Sequence, residues 1–209
     1  SSDLEIFYGS ILDESSLREA LRDCDGIIHL AAYLGVRRTE INSLRCLDIN
    51  INGTKKVLEA VIHAGIQKII FASSSEVYGE PLKNPIREED ITQGKTVYAV
   101  SKLAGEELVK AYHAEFETLN FTILRYFNTY GPYQIAQFVI PKFIHNVMNG
   151  KPPVIYGNGR QERSYNFSED TARATVDALI SQKTDSITIN IGNSDALISL
   201  KDLGELVIG

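Results

Sequence analysis

The chain has 209 residues, 44% of them hydrophobic, with 15 Gly, 6 Pro and a formal net charge of −6. That composition suits a folded chain rather than a disordered one, and the acidic balance argues against a nucleic-acid partner, whose surface would be basic. Two cysteines, Cys24 and Cys46, are too few for a disulfide framework, no apolar run reaches membrane-spanning length, and the start carries no signal-peptide pattern, so a cytoplasmic location with no membrane partner is expected.

In chain order, residues 5–9 (EIFYG) read as a short strand and residues 14–22 as a helix with Leu17, Ala20 and Leu21 on one face. Residues 26–32 (GIIHLAA) read as an apolar strand. Its terminal Ala31 and Ala32 either let a flat ligand approach or pack under a helix, and the residues alone leave both readings open. A long helix follows over 44–64, with Val57, Leu58, Val61 and Ile62 apolar, Asn50 and Gly53 interrupting its propensity, and Gly65 as its stop. Strand 68–72 leads into Ser73-Ser74-Ser75-Glu76 and a loop with Pro81 and Pro85. A helix opens at Tyr98, and strand 121–125 ends in a turn-rich loop over 126–132.

Beyond Pro132 the composition shifts. A helix is expected over 138–149, a short strand over 154–156, a Gly-rich turn over 157–160, and a helix over 170–181 with Ser168 as its N-cap. A strand at 187–191 and a Ser199-capped helix from Leu200 complete the pattern. Alternating buried strands and helices indicate an α/β fold, a Rossmann-like parallel sheet with helices on both faces. The division expected is 1–132 for the sheet part and 133–209 for a partial smaller part.

The chemistry concentrates between Phe71 and Lys102. Hydroxyls and a carboxylate end a buried strand, the rim where open parallel sheets bind ligands. Tyr98 and Lys102 are four apart, so they share a helix face. A free phenol titrates near ~10, and a cation held close favours the phenolate. Tyr98 is therefore the candidate base at a carbinol or carbonyl centre, with Ser74 on the same substrate oxygen and Glu76 as a second acid or base. A Tyr-x-x-x-Lys match alone carries little weight, and its context supplies the rest. The four histidines, His29, His63, His113 and His145, have no metal-ligand spacing, so no metal is expected.

Six stretches now carry a resemblance: HLAA (29–32), NINGT (50–54), SSSEVYG (73–79), YAVSK (98–102), LRYFNTYGP (124–132) and VIYGNGRQER (154–163). In this order they resemble the extended short-chain dehydrogenase/reductase family, in its NAD-dependent nucleotide-sugar epimerase/dehydratase branch. The resemblance implies Tyr98 as the base and Lys102 as its partner on the nicotinamide ribose, with Ser74 beside the reacting sugar oxygen. It puts Ile11, Leu30, Ala31, Ala32, Asn50 and Phe127, together with Tyr98 and Lys102, against NAD. It puts Asn128, Tyr156 and Arg163, with Ser74, against a nucleotide-sugar, a UDP-sugar foremost. Arg163 reads either as paired donors to a diphosphate, aimed from a loop, or as a surface charge.

No G-x-x-G-x-x-G occurs in the sequence, and the resemblance implies that the first βαβ unit lies outside it. The thymidine-diphosphate-sugar dehydratases carry Asp where Ser75 stands, and Ser75-Glu76 resembles decarboxylases and some epimerases. A 4-epimerase is therefore the expectation, with a decarboxylase or 4,6-dehydratase next, and a catalytically incomplete fragment or NAD-sensing binding protein as the alternative of another class. The resemblance also implies a homodimer through helices 44–64 and 98–118.

Overall fold

The computed structural model describes residues 4–209. Residues up to Arg125, together with Thr175–Asn190, make one compact unit, and Tyr126–Ala174 with Ile191–Gly209 make the other. Where the sequence reading divides the chain once, at 132, the structure returns Thr175–Asn190 to the first unit.

The first unit holds helix α1 (Glu14–Ala20), strand β1 (Ile27–His29), helix α2 (Val36–Ile41), helix α3 (Ser43–Leu47), a π-helical turn (Asp48–Asn52) and helix α4 (Gly53–His63). Strand β2 (Lys68–Ser74), a 3₁₀ turn (Ser75–Tyr78), helix α5 (Val97–Glu115) and strand β3 (Asn120–Tyr126) follow. The second unit contributes β4 (Asn128–Tyr130), α6 (Val139–Met148), β5 (Glu162–Phe167) and the start of α7 (Ser168–Ile180). Strand β6 (Ile187–Ile191) comes next, then β7 (Leu197–Ser199) and α8 (Leu200–Ile208).

Two sheets result, ordered β1-β2-β3-β6 and β4-β5-β7. In the first, β1 and β2 run parallel, with Ile27 opposite Ile69 and His29 opposite Phe71. Both strands therefore end at one edge of this Rossmann-like parallel sheet, and Leu30–Ala32 and Ser75–Glu76 leave from that edge. Its core joins Val57, Leu58 and Val61 of α4 to Ile69 and Phe71 of β2, Val109 of α5 and Ile123 of β3. Each such fully buried aliphatic or aromatic side chain contributes about 1.5–3 kcal/mol.

Local signals set the ends of these helices. Asp13 caps α1 by accepting from the Ser16 N–H at 3.0 Å, Thr96 caps α5 by accepting from the Ala99 N–H at 3.1 Å, and Ser199 caps α8 by accepting from the Asp202 N–H at 3.1 Å. Gly65, at φ 70°, takes the left-handed conformation that closes α4, with Ile66 N–H reaching back to the Val61 carbonyl at 3.1 Å. Gly53 is buried because Ile11 packs where its side chain would be.

Several expected elements differ. Residues 5–9 are not a strand, and Ile6, Phe7 and Tyr8 are exposed, with no neighbour strand among the described residues to complete a ladder. Residues 154–156 form no strand either: Pro152 and Pro153 lack the donors a ladder needs, and Ile155 instead packs into the apolar cluster of Phe143, Tyr165 and Leu203. The helix read over 44–64 starts one residue earlier and carries a π-helical turn where Asn50 interrupts it. Ser168 is the first residue of α7 rather than a residue before it.

Candidate active site

At the edge where β2 ends, Ser74 closes the strand and its Oγ accepts the Glu76 N–H at 3.2 Å, which starts the 3₁₀ turn. The Ser74 side chain lies close enough to the Tyr98 hydroxyl to favour its ionised form. Thr96, while capping α5, donates its hydroxyl to Glu76 Oε2 at 3.4 Å. Ser74, Glu76 and Tyr98 are thus brought together by two element ends, the carboxyl end of β2 and the amino end of α5.

Lys102, one helical turn beyond Tyr98, is 4% exposed. Its ammonium donates to the Ala72 carbonyl at 2.6 Å and lies 5.2 Å from the centre of the Phe71 ring and 5.8 Å from that of Tyr98. Burial pushes the Lys102 ammonium down to about 8, against the opposing influence of Cys46 and Glu106. The expected lowering of the phenol is not found. Burial, reinforced by the Glu76 carboxylate, pushes Tyr98 up to about 12, and the Ser74 side chain only partly offsets it. Glu76 is exposed as a residue, yet its carboxyl is enclosed enough for burial to raise it, with the Thr96 bond opposing.

Asn50 sits in the π-helical turn and is 3% exposed. Its carbonyl oxygen accepts the Tyr33 N–H at 2.7 Å, and its amide donates to the Tyr33 carbonyl at 3.1 Å and to Ser101 Oγ at 2.8 Å. Ser101 in turn donates to the Tyr98 carbonyl at 2.7 Å. The side chain expected against NAD is therefore committed to protein groups, where it holds the loop after β1 and the first turn of α5. A π turn re-aims one residue within a helix, commonly at functional sites. Leu30 and Ala31 are exposed beyond the end of β1, and Ala32 is half-buried. Of the two readings for the alanines, an open edge suits this better than packing under a helix. Ile11 is half-buried against Gly53.

Within the second unit, Phe127 is half-buried and its N–H donates to the Ile191 carbonyl at 2.9 Å. Asn128 opens β4 and its amide donates to the Ser164 carbonyl at 3.3 Å, beside Arg163. Arg163 is not on a loop, as expected, but is the second residue of β5, opposite Ile198 of β7, because residues 162–164 pair with 197–199. Its guanidinium is exposed and its Nη1 donates to the Glu162 carbonyl at 2.9 Å. Tyr156 is exposed, with Lys142 Nζ 5.1 Å from its ring centre.

Sequence reasoning missed Ser101, Tyr33, Glu106 and Arg125 around this edge. Glu106 follows Tyr98 and Lys102 at the same four-residue step, a signal that would have put it on their face of the helix. Among the described residues no group of three or more His, Cys, Asp or Glu could hold a metal ion, and no helix is long and apolar enough to cross a membrane.

Comparison with known proteins gives a consistent neighbourhood. The NAD dependent epimerase/dehydratase family matches residues 1–192. A UDP-N-acetyl-alpha-D-glucosaminuronate decarboxylase of Bacillus cytotoxicus is 37% identical over 194 residues, 89% of this chain and 59% of its own length. A putative UDP-glucose 4-epimerase of Methanocaldococcus jannaschii is 35% identical over 97% of this chain and 68% of its own. The UDP-glucuronic acid 4-epimerase of Bacillus cereus, solved with UDP-glucuronic acid and NAD, superposes with a TM-score of 0.88 at 34% identity, covering 95% of this chain and 63% of that one. The chain thus spans roughly three fifths to two thirds of the length of these relatives. With the family matched over most of its length, and with relatives above 30% identity, the chain belongs to the NAD-dependent epimerase/dehydratase family.

Proposed function

We propose that this protein is an NAD-dependent nucleotide-sugar 4-epimerase, and the observation that carries the reading is the buried Lys102 ammonium, 5.8 Å from the Tyr98 ring centre and donating to the Ala72 carbonyl of the strand that Ser74 ends. The part of a nicotinamide site that these residues would supply fits the group. Ala31 and Ala32 leave the strand end open to a flat ring, and an ammonium with three donors uses one on Ala72. No residue here is assigned to the cofactor pyrophosphate, for which the sequence has no G-x-x-G-x-x-G turn.

Bound NAD would supply the hydride acceptor and donor for C4 of the sugar. The chain's own groups handle the proton. Tyr98 is protonated at neutral pH, with its hydroxyl pushed up to about 12 by burial, which is the form that donates to a C4 keto oxygen. In the opposite direction it must receive the C4 hydroxyl proton, and the Lys102 ammonium is the cation placed to favour the phenolate when the charges around it change. Ser74 shares the sugar oxygen and orients it, and Glu76 is the second carboxyl within the site. Arg163 and Asn128, neighbours on β5 and β4, are assigned with Tyr156 to the nucleotide-sugar. The resemblance supports a homodimer through α4 and α5, which sedimentation of the full-length protein tests.

A second reading, a nucleotide-sugar decarboxylase, is favoured by the 37% identical relative of that name. The test is to incubate the full-length protein with NAD and, separately, UDP-glucose and UDP-glucuronate, and to identify products by proton NMR. The 4-epimer is the expected product. Carbon dioxide release assigns the decarboxylase, loss of water assigns a dehydratase, and no product from either sugar removes both readings for UDP-hexoses.

A further inference from the structure

The first unit buries an ion pair that the proton chemistry above does not use. Arg125, on β3, and Glu106, on α5, are 5% and 1% exposed. They form a two-pronged bridge, with Arg125 Nε donating to Glu106 Oε1 at 2.9 Å and Nη2 donating to Oε2 at 2.7 Å. The Ser73 hydroxyl donates to the same carboxylate. Arg125 Nη1 donates to Tyr78 Oη at 2.8 Å and to the Glu88 carbonyl at 3.0 Å, and Tyr78 Oη donates to Asn190 Oδ1 at 2.7 Å. Burial alone would lower the guanidinium, but the bonds to Glu106 and Tyr78 outweigh it and hold it above its ordinary value.

Such a pair is a poor way to gain stability. Desolvating two charges costs several kcal/mol per ion, and apolar residues of the same volume often do as well or better. A fork-to-fork bridge adds direction, since it admits one relative placement of its two elements. Here those elements carry the candidate site. Glu106 lies four residues after Lys102 and eight after Tyr98, on their face of α5, and Ser73 directly precedes Ser74. Tyr78 ends the turn that holds Glu76.

We propose that Glu106 and Arg125 are positioning residues: their bridge fixes α5 against the end of β2, so that Tyr98 Oη lies close to Ser74 and Lys102 Nζ meets the Ala72 carbonyl, and it governs turnover rather than fold stability. This rests on Tyr98 and Ser74 being the proton-transfer groups.

The test uses the full-length protein. Arg125→Met alone strands a buried carboxylate and is expected to unfold the chain, so the informative variant is the double replacement Glu106→Met with Arg125→Met, which removes both charges at similar volume. Three quantities are read: melting temperature, the split between kcat and KM for the nucleotide-sugar, and amide exchange over Val97–Lys102. The expected result is an unchanged or raised melting temperature, kcat down by about 10- to 100-fold as a misplacement near 1 Å produces, KM within about twofold as for a step lost after binding, and faster exchange in that first turn. A double variant with wild-type kcat and wild-type exchange overturns the proposal, as does a fall in kcat accompanied by an equal fall in melting temperature and uniformly faster exchange. If the wild type turns over no nucleotide-sugar, the functional reading fails by itself. The exchange and melting data then still decide whether the bridge holds the first turn of α5.

Discussion

Tyr98 and Lys102 stand one turn apart on the same helix, with the ammonium 5.8 Å from the phenol ring centre, yet that ammonium donates to the Ala72 carbonyl at 2.6 Å. Both groups are pushed toward their neutral forms, Tyr98 up to about 12 and Lys102 down to about 8, with burial the largest cause in each case. The pair is thus held ready by the fold without being a phenolate–ammonium pair in itself. The charge of a bound ligand, or the loss of charge on Glu76, is what would shift the balance.

Replacing Tyr98 by Phe removes the hydroxyl and leaves the ring. Loss of a general acid–base group costs about 10²–10⁴-fold, so kcat should fall by that much while the affinity for UDP measured by calorimetry stays near wild type. Turnover near the wild-type value would take Tyr98 out of the proton path.

Lys102→Met tests the cost of burying that ammonium. An unfolded lysine titrates near ~10.4, above the folded value of about 8. Between those limits the unfolded chain binds more protons, so stability rises with pH across that window. Below pH 8 the penalty is fully present, about 3 kcal/mol by the usual conversion. The Met variant should lose this rise, seen as a flatter melting-temperature profile between pH 8 and 10, together with most turnover. At neutral pH its stability should stay near wild type, because the orphaned Ala72 carbonyl costs about 1–3 kcal/mol in the opposite direction. A profile unchanged from wild type would mean that Lys102 is not desolvated.

Gly105 lies on α5 where an added Cβ would overlap the Phe71 ring, itself 1% exposed in the core. Alanine gains roughly 0.8–1 kcal/mol over glycine in a helix interior, but overpacking a filled core costs about 1–3 kcal/mol. Gly105→Ala should therefore lower the melting temperature, and because the Phe71 ring also lies beneath Lys102, turnover should fall with it. A stabilised variant would show that the helix can move away from β2 freely.

Arg163→Ala separates a substrate contact from a surface charge. Charge-assisted hydrogen bonds contribute roughly 1.5–3 kcal/mol, or about 10- to 150-fold in affinity. Calorimetry should show that loss for UDP and little change for NAD. Equal losses for both, or none for UDP, would leave the guanidinium as an exposed side chain resting on the Glu162 carbonyl.

Much of the first unit was legible because its strands are short β-branched runs buried on both faces: Lys68–Ser74 and Asn120–Tyr126 bury all five residues between their ends. The site was legible where one helix presents Tyr98 and Lys102 in a four-residue step. Strand β5 was not, because its first two residues, Glu162 and Arg163, are charged and exposed, and only Tyr165 and Asn166 are buried. The EIFYG stretch misled because its apolar side chains are exposed and meet no partner strand among the described residues. The Glu106–Arg125 bridge was hidden because its halves lie 19 residues apart, on elements whose pairing only the fold reveals.

The most direct measurement follows deuterium placed at C4 of the UDP-sugar during turnover by the full-length protein with NAD. Transient oxidation at C4 with return of the same hydride gives the 4-epimer with deuterium retained at C4, and that is the expected result. Epimer carrying solvent hydrogen at C4 would show that the proton of a C–H bond, not a hydride, is moved, and would contradict the role given to Tyr98 and NAD together.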